Sequence, residues 1–333
     1  MDNILEIKDL VVSFATDDRK SRTVAVNGVS LAIPRGSAVG LVGESGCGKS
    51  VTSLSAMGLL SKNGRVDSGQ AIFGGEDLLQ MSDRELRRIR GNRISMIFQE
   101  PMTSLNPVIT VGRQISEAIL LHSDAGRDAA RARAIEIMKL VDIPEAEQRY
   151  GCYPHQLSGG LRQRVMIGMA MVMKPDLLIA DEPTTALDVS IEAQILRLMR
   201  DLQRQSGTSI LMITHNLGVV AEICDSVYVM YAGEIVERAD VFTLFRACAH
   251  PYTRGLMASL PRLASKGRRL YNIPGTVPPL WAMPEGCRFA PRCEFATERC
   301  HADKPPLTDL GDGHLCRCFF PREDAIGNGG MRP

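Results

Sequence analysis

Apolar positions along this chain come in short runs, and the spacing inside each run sets the element it predicts. Residues 4–14, ILEIKDLVVSF, alternate well enough for a strand, and 24–33, VAVNGVSLAI, predict a second. Pro34-Arg35-Gly36 is a turn. Ser37 to Val42 is a short apolar strand that runs straight into a glycine-rich loop at 43–48, and Val51 to Leu60 reads as a helix. Residues 82–145 are rich in helix formers, as in DRELRRIRG and RDAARARAIEIMKL. They predict a helical insertion, with a subdomain reaching to about residue 165. Leu177 to Ala180 and Ser209 to Ile213 are buried strands, each flanked by helical patterns. This strand–loop–helix alternation predicts an α/β fold on a mostly parallel sheet.

The pattern breaks near residue 250. Eleven of the 18 prolines fall beyond it, and IPGTVPPLWAMPEG at 273–286 forbids long regular elements. Two domains are expected, an α/β domain over 1–245 and a small loop-built extension over 246–322, with 323–333 frayed. His250, Pro251 and Tyr252 open the extension and are expected to pack. Trp281, the only tryptophan, is expected to anchor it. The basic run Lys266 to Arg269 reads as a solvated loop. No internal repeat is found.

Charge narrows the partners. Lys+Arg 39 against Asp+Glu 38 leaves a net charge of +1, so no overall field draws the chain to nucleic acid or to an anionic membrane. The first residues, MDNILEIKDL, predict no secretory signal. The longest apolar stretch, Val165 to Met173, is far short of the roughly 20 residues that span a bilayer. A cytoplasmic protein is expected, with any membrane role exercised through partners.

The chemistry is concentrated in a few motifs. GESGCGKS at 43–50 fits G-x-x-x-x-G-K-[ST] and stands between a strand and a helix. Its backbone N–H groups and the helix start predict a cradle for phosphate. Lys49 would reach the β/γ-phosphates of ATP and Ser50 would hold Mg²⁺. Gly43, Glu44, Ser45, Gly46, Cys47, Gly48 and Val51 complete the loop. Cys47 fills a free position as a spacer. The helix start is expected to acidify its thiol, so ATP is expected to block its alkylation. LLIADEPTTALD at 177–188 puts Asp181 and Glu182 directly after an apolar strand. Asp181 suits Mg²⁺ and Glu182 suits the attacking water. LSGGLRQR at 157–164 opens a helix with Ser158, Gly159 and Gly160, a second anion site.

Taken in order, GESGCGKS, Gln99, LSGGL, LLIADE, ALD and ITHN resemble the nucleotide-binding subunit of an ATP-binding cassette (ABC) transporter over residues 1 to about 240. The resemblance implies a P-loop NTPase fold with N-terminal antiparallel strands and a helical subdomain. It implies that Phe14 stacks on adenine, against an equally weighted reading as a core strand residue. It implies that Gln99 senses Mg²⁺ and contacts a transmembrane partner. Ser158, Gly159 and Gly160 would bind the γ-phosphate held by an opposing subunit, Asp188 would lie at the dimer contact, and His215 would hydrogen-bond the γ-phosphate. Two positions depart from the family pattern: Leu161 replaces a common Gln and Asn216 a common Asp. Neither removes a phosphate contact.

HPYTRGLMASLP at 250–261, with IPGTVPPL and the cysteines that follow, resembles the C-terminal extension of ATPase subunits of dipeptide and oligopeptide importers. Of nine cysteines, five (Cys287, Cys293, Cys300, Cys316 and Cys318) crowd into this extension. In a reducing compartment such clusters bind metals more often than they form disulfides. Tight C-x2-C zinc pairs are absent. The wide spacing and the resemblance together favour a [4Fe–4S] cluster on Cys287, Cys293, Cys300 and Cys318, with Cys316 as the alternative fourth ligand. The resemblance also implies two transmembrane permease subunits, a second ATPase (a related but distinct subunit, with a homodimer as the alternative), a periplasmic solute-binding protein and a place on the inner face of the membrane. A soluble cassette ATPase of DNA repair or translation is the competing class. The missing tandem repeat, heptads and basic arm speak against it.

Overall fold

The computed structural model describes residues 2–16, 21–99, 104–185, 187–260 and 271–321. The expected frayed end at 323–333 and the basic run at 266–269 lie outside the described residues. In chain order the elements begin with β1 (Asn3–Ala15), β2 (Arg22–Pro34), β3 (Ala38–Val42), α1 (Lys49–Ala56), β4 (Gly64–Phe73), β5 (Glu76–Asp77), α2 (Asp83–Ile89) and β6 (Ile94–Ile97). Four helices follow, α3 (Val111–His122), α4 (Arg127–Leu140), α5 (Ala146–Arg149) and α6 (Gly159–Met171). Then come β7 (Leu177–Asp181), α7 (Val189–Ser206), β8 (Ser209–Thr214), α8 (Leu217–Ile223), β9 (Ser226–Tyr231) and β10 (Glu234–Asp240). The last are α9 (Val241–Ala247), α10 (Pro251–Ala258), α11 (Glu298–Ala302), β11 (Thr308–Asp309) and β12 (Leu315–Cys316).

The chain divides into two compact units, each discontinuous in sequence. One comprises Met1–Leu5, Ala32–Ala38 and Ile72–Ile213. Its strands β6, β7 and β8 pair in parallel, with Ile94 opposite Leu177 and Leu177 opposite Ser209. Every residue of β7 is buried, as a strand covered on both faces requires, and this is why LLIA reads as an unbroken apolar run. Helices α3, α4 and α6 pack on one another. The α6 residue Arg164 donates to the carbonyl of Val141 at 2.9 Å and to Gln194 Oε1 at 3.0 Å. Helix α7 is capped at both ends. The Asp188 carboxylate accepts from Ile191 N–H at 3.0 Å, and Gly207 closes the helix at φ 72°.

The other unit comprises Glu6–Leu31, Val39–Ala71 and Thr214–Pro333. Here β3 pairs in parallel with β9, and β9 pairs antiparallel with β10. The chain returns at its far end to add β12 antiparallel to β10, with Glu237 opposite Cys316, and β11 antiparallel to β12. Parallel strands thus carry the glycine loop, and an antiparallel edge carries the extension.

Inside this unit Glu237 is fully buried and accepts from Ala249 N–H at 2.5 Å, His250 N–H at 3.0 Å and His314 Nε2 at 2.8 Å. His250 packs as expected and also caps α10, its Nδ1 accepting from Tyr252 N–H at 3.1 Å. Burial pulls its pKa down to about 4, against a partial upward pull from Glu237. An unfolded histidine titrates near 6.5. Protons therefore bind the unfolded chain first, and stability is intact above about pH 6.5 and lost as pH falls toward 4. The loss should reach about 3 kcal/mol. Denaturant titrations at pH 7 and pH 4.5 should show that fall, and His250→Asn, which keeps a cap acceptor, should shrink it.

Three sequence expectations need correction. Residues 94–97 form strand β6, not helix. Their four apolar-rich positions are found beside β7, and tertiary pairing overrides the helix-forming surroundings. The helix expected over 51–60 runs over Lys49–Ala56 and ends before Gly58, which takes φ 61°. Trp281 does not anchor the extension, since it lies in a 3₁₀ turn at Leu280–Ala282 and is 82% exposed.

Candidate active site

Strand β3 delivers the chain into the 43–50 loop, and two glycines explain its path. A Cβ on Gly43 would lie 2.1 Å from the Met230 carbonyl oxygen, and one on Gly48 would lie 2.7 Å from Met230 Cε. Both also take positive φ, 155° and 105°. Gly48 caps α1 without any side-chain hydrogen bond. Lys49 is buried, with Nζ donating to the carbonyls of Gly43 at 2.8 Å and Glu44 at 3.1 Å. Ser45 and Gly46 are exposed, Ser50 and Val51 half-buried.

Cys47 is only 1% exposed, and burial pushes its thiol up although Lys49 pulls the other way. The expected acidification is corrected: desolvation outweighs the pull of Lys49. Its carbonyl accepts from Gly233 N–H at 2.8 Å.

In the first unit Asp181 ends β7 and is 5% exposed. Glu182 follows at φ 48°, a left-handed conformation that costs a non-glycine residue about 1–2 kcal/mol. Its N–H donates to the Ile213 carbonyl at 2.8 Å, which holds the bend. Its carboxylate accepts from Gln99 Nε2 at 3.2 Å and from Thr185 Oγ1 at 2.8 Å. Gln99 and Glu182, named separately from sequence, are therefore in contact. Thr185 was not singled out; the only hint was its position three residues past Glu182. Ser158 caps α6, its Oγ accepting from Leu161 N–H at 3.4 Å, with Ser158 and Gly159 exposed and Gly160 half-buried. Asp188 is exposed as well as capping α7.

In the second unit His215 is exposed in the turn after β8. Asn216 caps α8 by accepting from Gly218 N–H at 2.9 Å, a task its side chain performs as an aspartate would. Phe14 is half-buried on β1, and a Cβ on Gly64 would touch its ring at 2.8 Å.

The extension gathers four thiols. Cys287 interacts electrostatically with Cys300 and Cys318, and Cys293 with Cys287, Cys318 and Cys300. Cys316 is buried and interacts electrostatically with Glu237, Cys318 and Cys248. Cys287 accepts hydrogen bonds from the backbone of Phe289 and Ala290, Cys293 from that of Phe295, and Cys318 Sγ from Phe320 N–H at 3.4 Å. Burial pushes Cys287 and Cys293 up, the latter to about 11. Among the described residues no three His, Cys, Asp or Glu side chains converge tightly enough to hold one metal ion.

Sequence reasoning missed how the extension meets the glycine loop. Arg292, with its side chain only 5% exposed, donates from Nη1 to Glu44 Oε2 at 2.7 Å and from Nη2 to Glu44 Oε1 at 3.1 Å. The Tyr252 hydroxyl accepts from Glu44 N–H at 2.9 Å. Arg288 donates to the Ala232 carbonyl and pairs with Glu234 at 3.3 Å. Phe289 packs on Tyr231, Tyr252 and His250, with ring centroids 5.1, 5.5 and 5.8 Å apart.

Residues 26–185 match the ABC transporter family and residues 236–300 the oligopeptide/dipeptide transporter C-terminal region. A Brucella melitensis protein named for ATP binding in peptide import is 53% identical over 97% of this chain and 98% of its own. The oligopeptide transport ATP-binding protein OppD of Haemophilus influenzae is 48% identical over 97% and 99%. The dipeptide transport ATP-binding protein DppD of Escherichia coli K12 is 47% identical over 97% and 98%. Among solved structures, a dimeric ATP-binding cassette bound to ADP and Pi is similar at TM-score 0.64 and 25% identity, covering 71% of this chain and 98% of its own.

Proposed function

The chain belongs to the ATP-binding cassette ATPases that carry the oligopeptide/dipeptide transporter C-terminal region, and on that premise we propose that it powers peptide import across a membrane. The observation that carries the ATPase reading is the 43–50 loop, whose Gly43 leaves no room for a side chain and whose lysine rests on carbonyls that phosphate would replace. Gly43 to Val51 would bind the phosphates, with Lys49 reaching the β/γ-phosphates and Ser50 suited to Mg²⁺; taken singly, Gln99 and Asp181 are also residues of the kind that hold Mg²⁺. Glu182 orients the attacking water and takes its proton. Phe14 stands at the adenine. His215 and the Ser158-Gly159-Gly160 helix start stabilise the γ-phosphate, the latter in an opposing subunit, with Asp188 at the contact. When bound, Mg²⁺ neutralises charge on the transferred phosphoryl group.

Among the described residues no helix is long and apolar enough to cross a membrane. Two permeases, a second ATPase and a solute-binding protein complete the importer, with this chain peripheral on the inner face. The domain division at about 245 belongs to the same reading. Disruption of the gene should abolish uptake of labelled di- and oligopeptides; undiminished uptake would reject peptide import.

We further propose that Cys287, Cys293, Cys300 and Cys318 would hold a [4Fe–4S] cluster in the extension. The donor set fits such a group. Cys287 and Cys293 interact with each other and with Cys300 and Cys318, and backbone N–H groups point at three of the sulfurs, an arrangement that tunes iron–sulfur centres. Cys318 suits the fourth position better than Cys316, which faces Glu237 and Cys248. Anaerobically purified protein should be brown, with iron and sulfide each about four per chain. A colourless, zinc-bearing protein would overturn this assignment.

A further inference from the structure

We propose that the segment from Cys287 to Cys293 is a clamp on the phosphate loop, and that Arg292 is the positioning residue through which the state of the thiol centre reaches bound ATP. The proposal rests on the ATPase and thiol-centre readings above and adds a route between them.

The segment is CRFAPRC, and its two cysteines bracket three side chains that all reach the cassette. Arg292 is the most committed. The five N–H donors of a guanidinium each face an acceptor here. Two meet the Glu44 carboxylate as a fork, Nε meets the Pro274 carbonyl at 3.0 Å, Nη2 meets the Ile273 carbonyl at 3.4 Å, and Nη1 meets the Tyr231 hydroxyl at 3.5 Å. The guanidinium also stands 5.7 Å from the Tyr231 ring centroid. Such a fork fixes direction as well as distance, which a lysine cannot do.

The loop is held at both ends. At Glu44 the side chain is gripped by Arg292 and the backbone N–H by Tyr252. At Cys47 the carbonyl accepts from Gly233 N–H, in the β9–β10 turn whose Ala232 carbonyl accepts from Arg288. Between the two grips lies Phe289, wedged among Tyr231, Tyr252 and His250. Any change that shifts Cys287 or Cys293 therefore shifts one grip or the other.

The electrostatic consequence is specific. Glu44 is an anion inside a loop that must accept a polyanion. Arg292 offsets that charge and holds the carboxylate in a two-bond fork. Without Arg292, Glu44 would repel the nucleotide. Removing Glu44 as well would remove the repulsion, a suppression that a general loss of packing would not show.

The test is ATP affinity of the full-length chain by equilibrium binding of a fluorescent ATP analogue. Arg292→Met should weaken binding about tenfold, with Arg292→Lys in between. Glu44→Gln in the Arg292→Met background should return it to within about threefold of the native value. Cys293→Ser should weaken binding severalfold in the native background and add nothing to Arg292→Met. The clamp is overturned if Arg292→Met binds ATP as the native chain does, if Glu44→Gln gives no suppression, or if Cys293→Ser acts equally in both backgrounds. A native chain that binds no ATP would sink the ATPase reading and this inference with it, an outcome distinct from native binding with inert variants.

Discussion

Glu182→Gln is expected to cut ATP turnover at least about 100-fold while ATP remains bound, because the change removes a proton acceptor and little else. Glutamine has the same length, and its carbonyl oxygen can still accept from Gln99 Nε2 and Thr185 Oγ1. The left-handed bend at φ 48° is set by the backbone and by the bond from Glu182 N–H to Ile213, neither of which the substitution touches. Binding should therefore survive, and the loss should fall on the chemical step. Single-turnover hydrolysis alongside filter binding of labelled ATP separates the two. Turnover within a few-fold of native, with ATP bound normally, would remove Glu182 from the role of base. Loss of binding and hydrolysis together would mean that the carboxylate holds the turn and not the water.

How far the sequence reaches depends on the range of each interaction. The phosphate loop was legible because its geometry is local. Gly43 is demanded by the Met230 carbonyl at 2.1 Å and Gly48 by its φ of 105°, and eight consecutive residues state that demand. Strands β3 and β7 were legible because burial on both faces leaves an apolar run. Strand β6 was not, since ISMI is short and lies among helix formers; only β7 beside it makes it a strand. The acidity of Cys47 was misjudged because a helix start is visible in sequence and desolvation is not. The strained φ of Glu182 leaves no mark in a string of letters. Arg292 and Glu44 are 248 positions apart, and nothing in CRFAPRC announces its partner. The cysteines were conspicuous as a cluster, yet the preference for Cys318 over Cys316 as a neighbour of the other three rests on which way β12 turns Cys316.

Lys49→Met should abolish ATP binding and leave the nucleotide-free chain about as stable as before. The ammonium is 5% exposed and its hydrogen bonds to the Gly43 and Glu44 carbonyls offset the cost of burying it. Methionine fills similar volume with no charge to desolvate, at the cost of two carbonyls that lose a donor. These terms oppose each other, and the net change in unfolding free energy should stay within about 1 kcal/mol. Phosphate binding has no such compensation. The lysine is the loop's point charge for the β/γ-phosphates, and backbone N–H groups alone must then hold a polyanion. Linkage makes the contrast measurable in one experiment. At ATP 100-fold above its Kd the native chain should gain about 2.7 kcal/mol, seen as a raised melting temperature, and the variant should gain nothing. A variant that still shifts with ATP would move the phosphate contact off Lys49. One that melts far lower without ATP would show that the ammonium's main task is to hold the empty loop together.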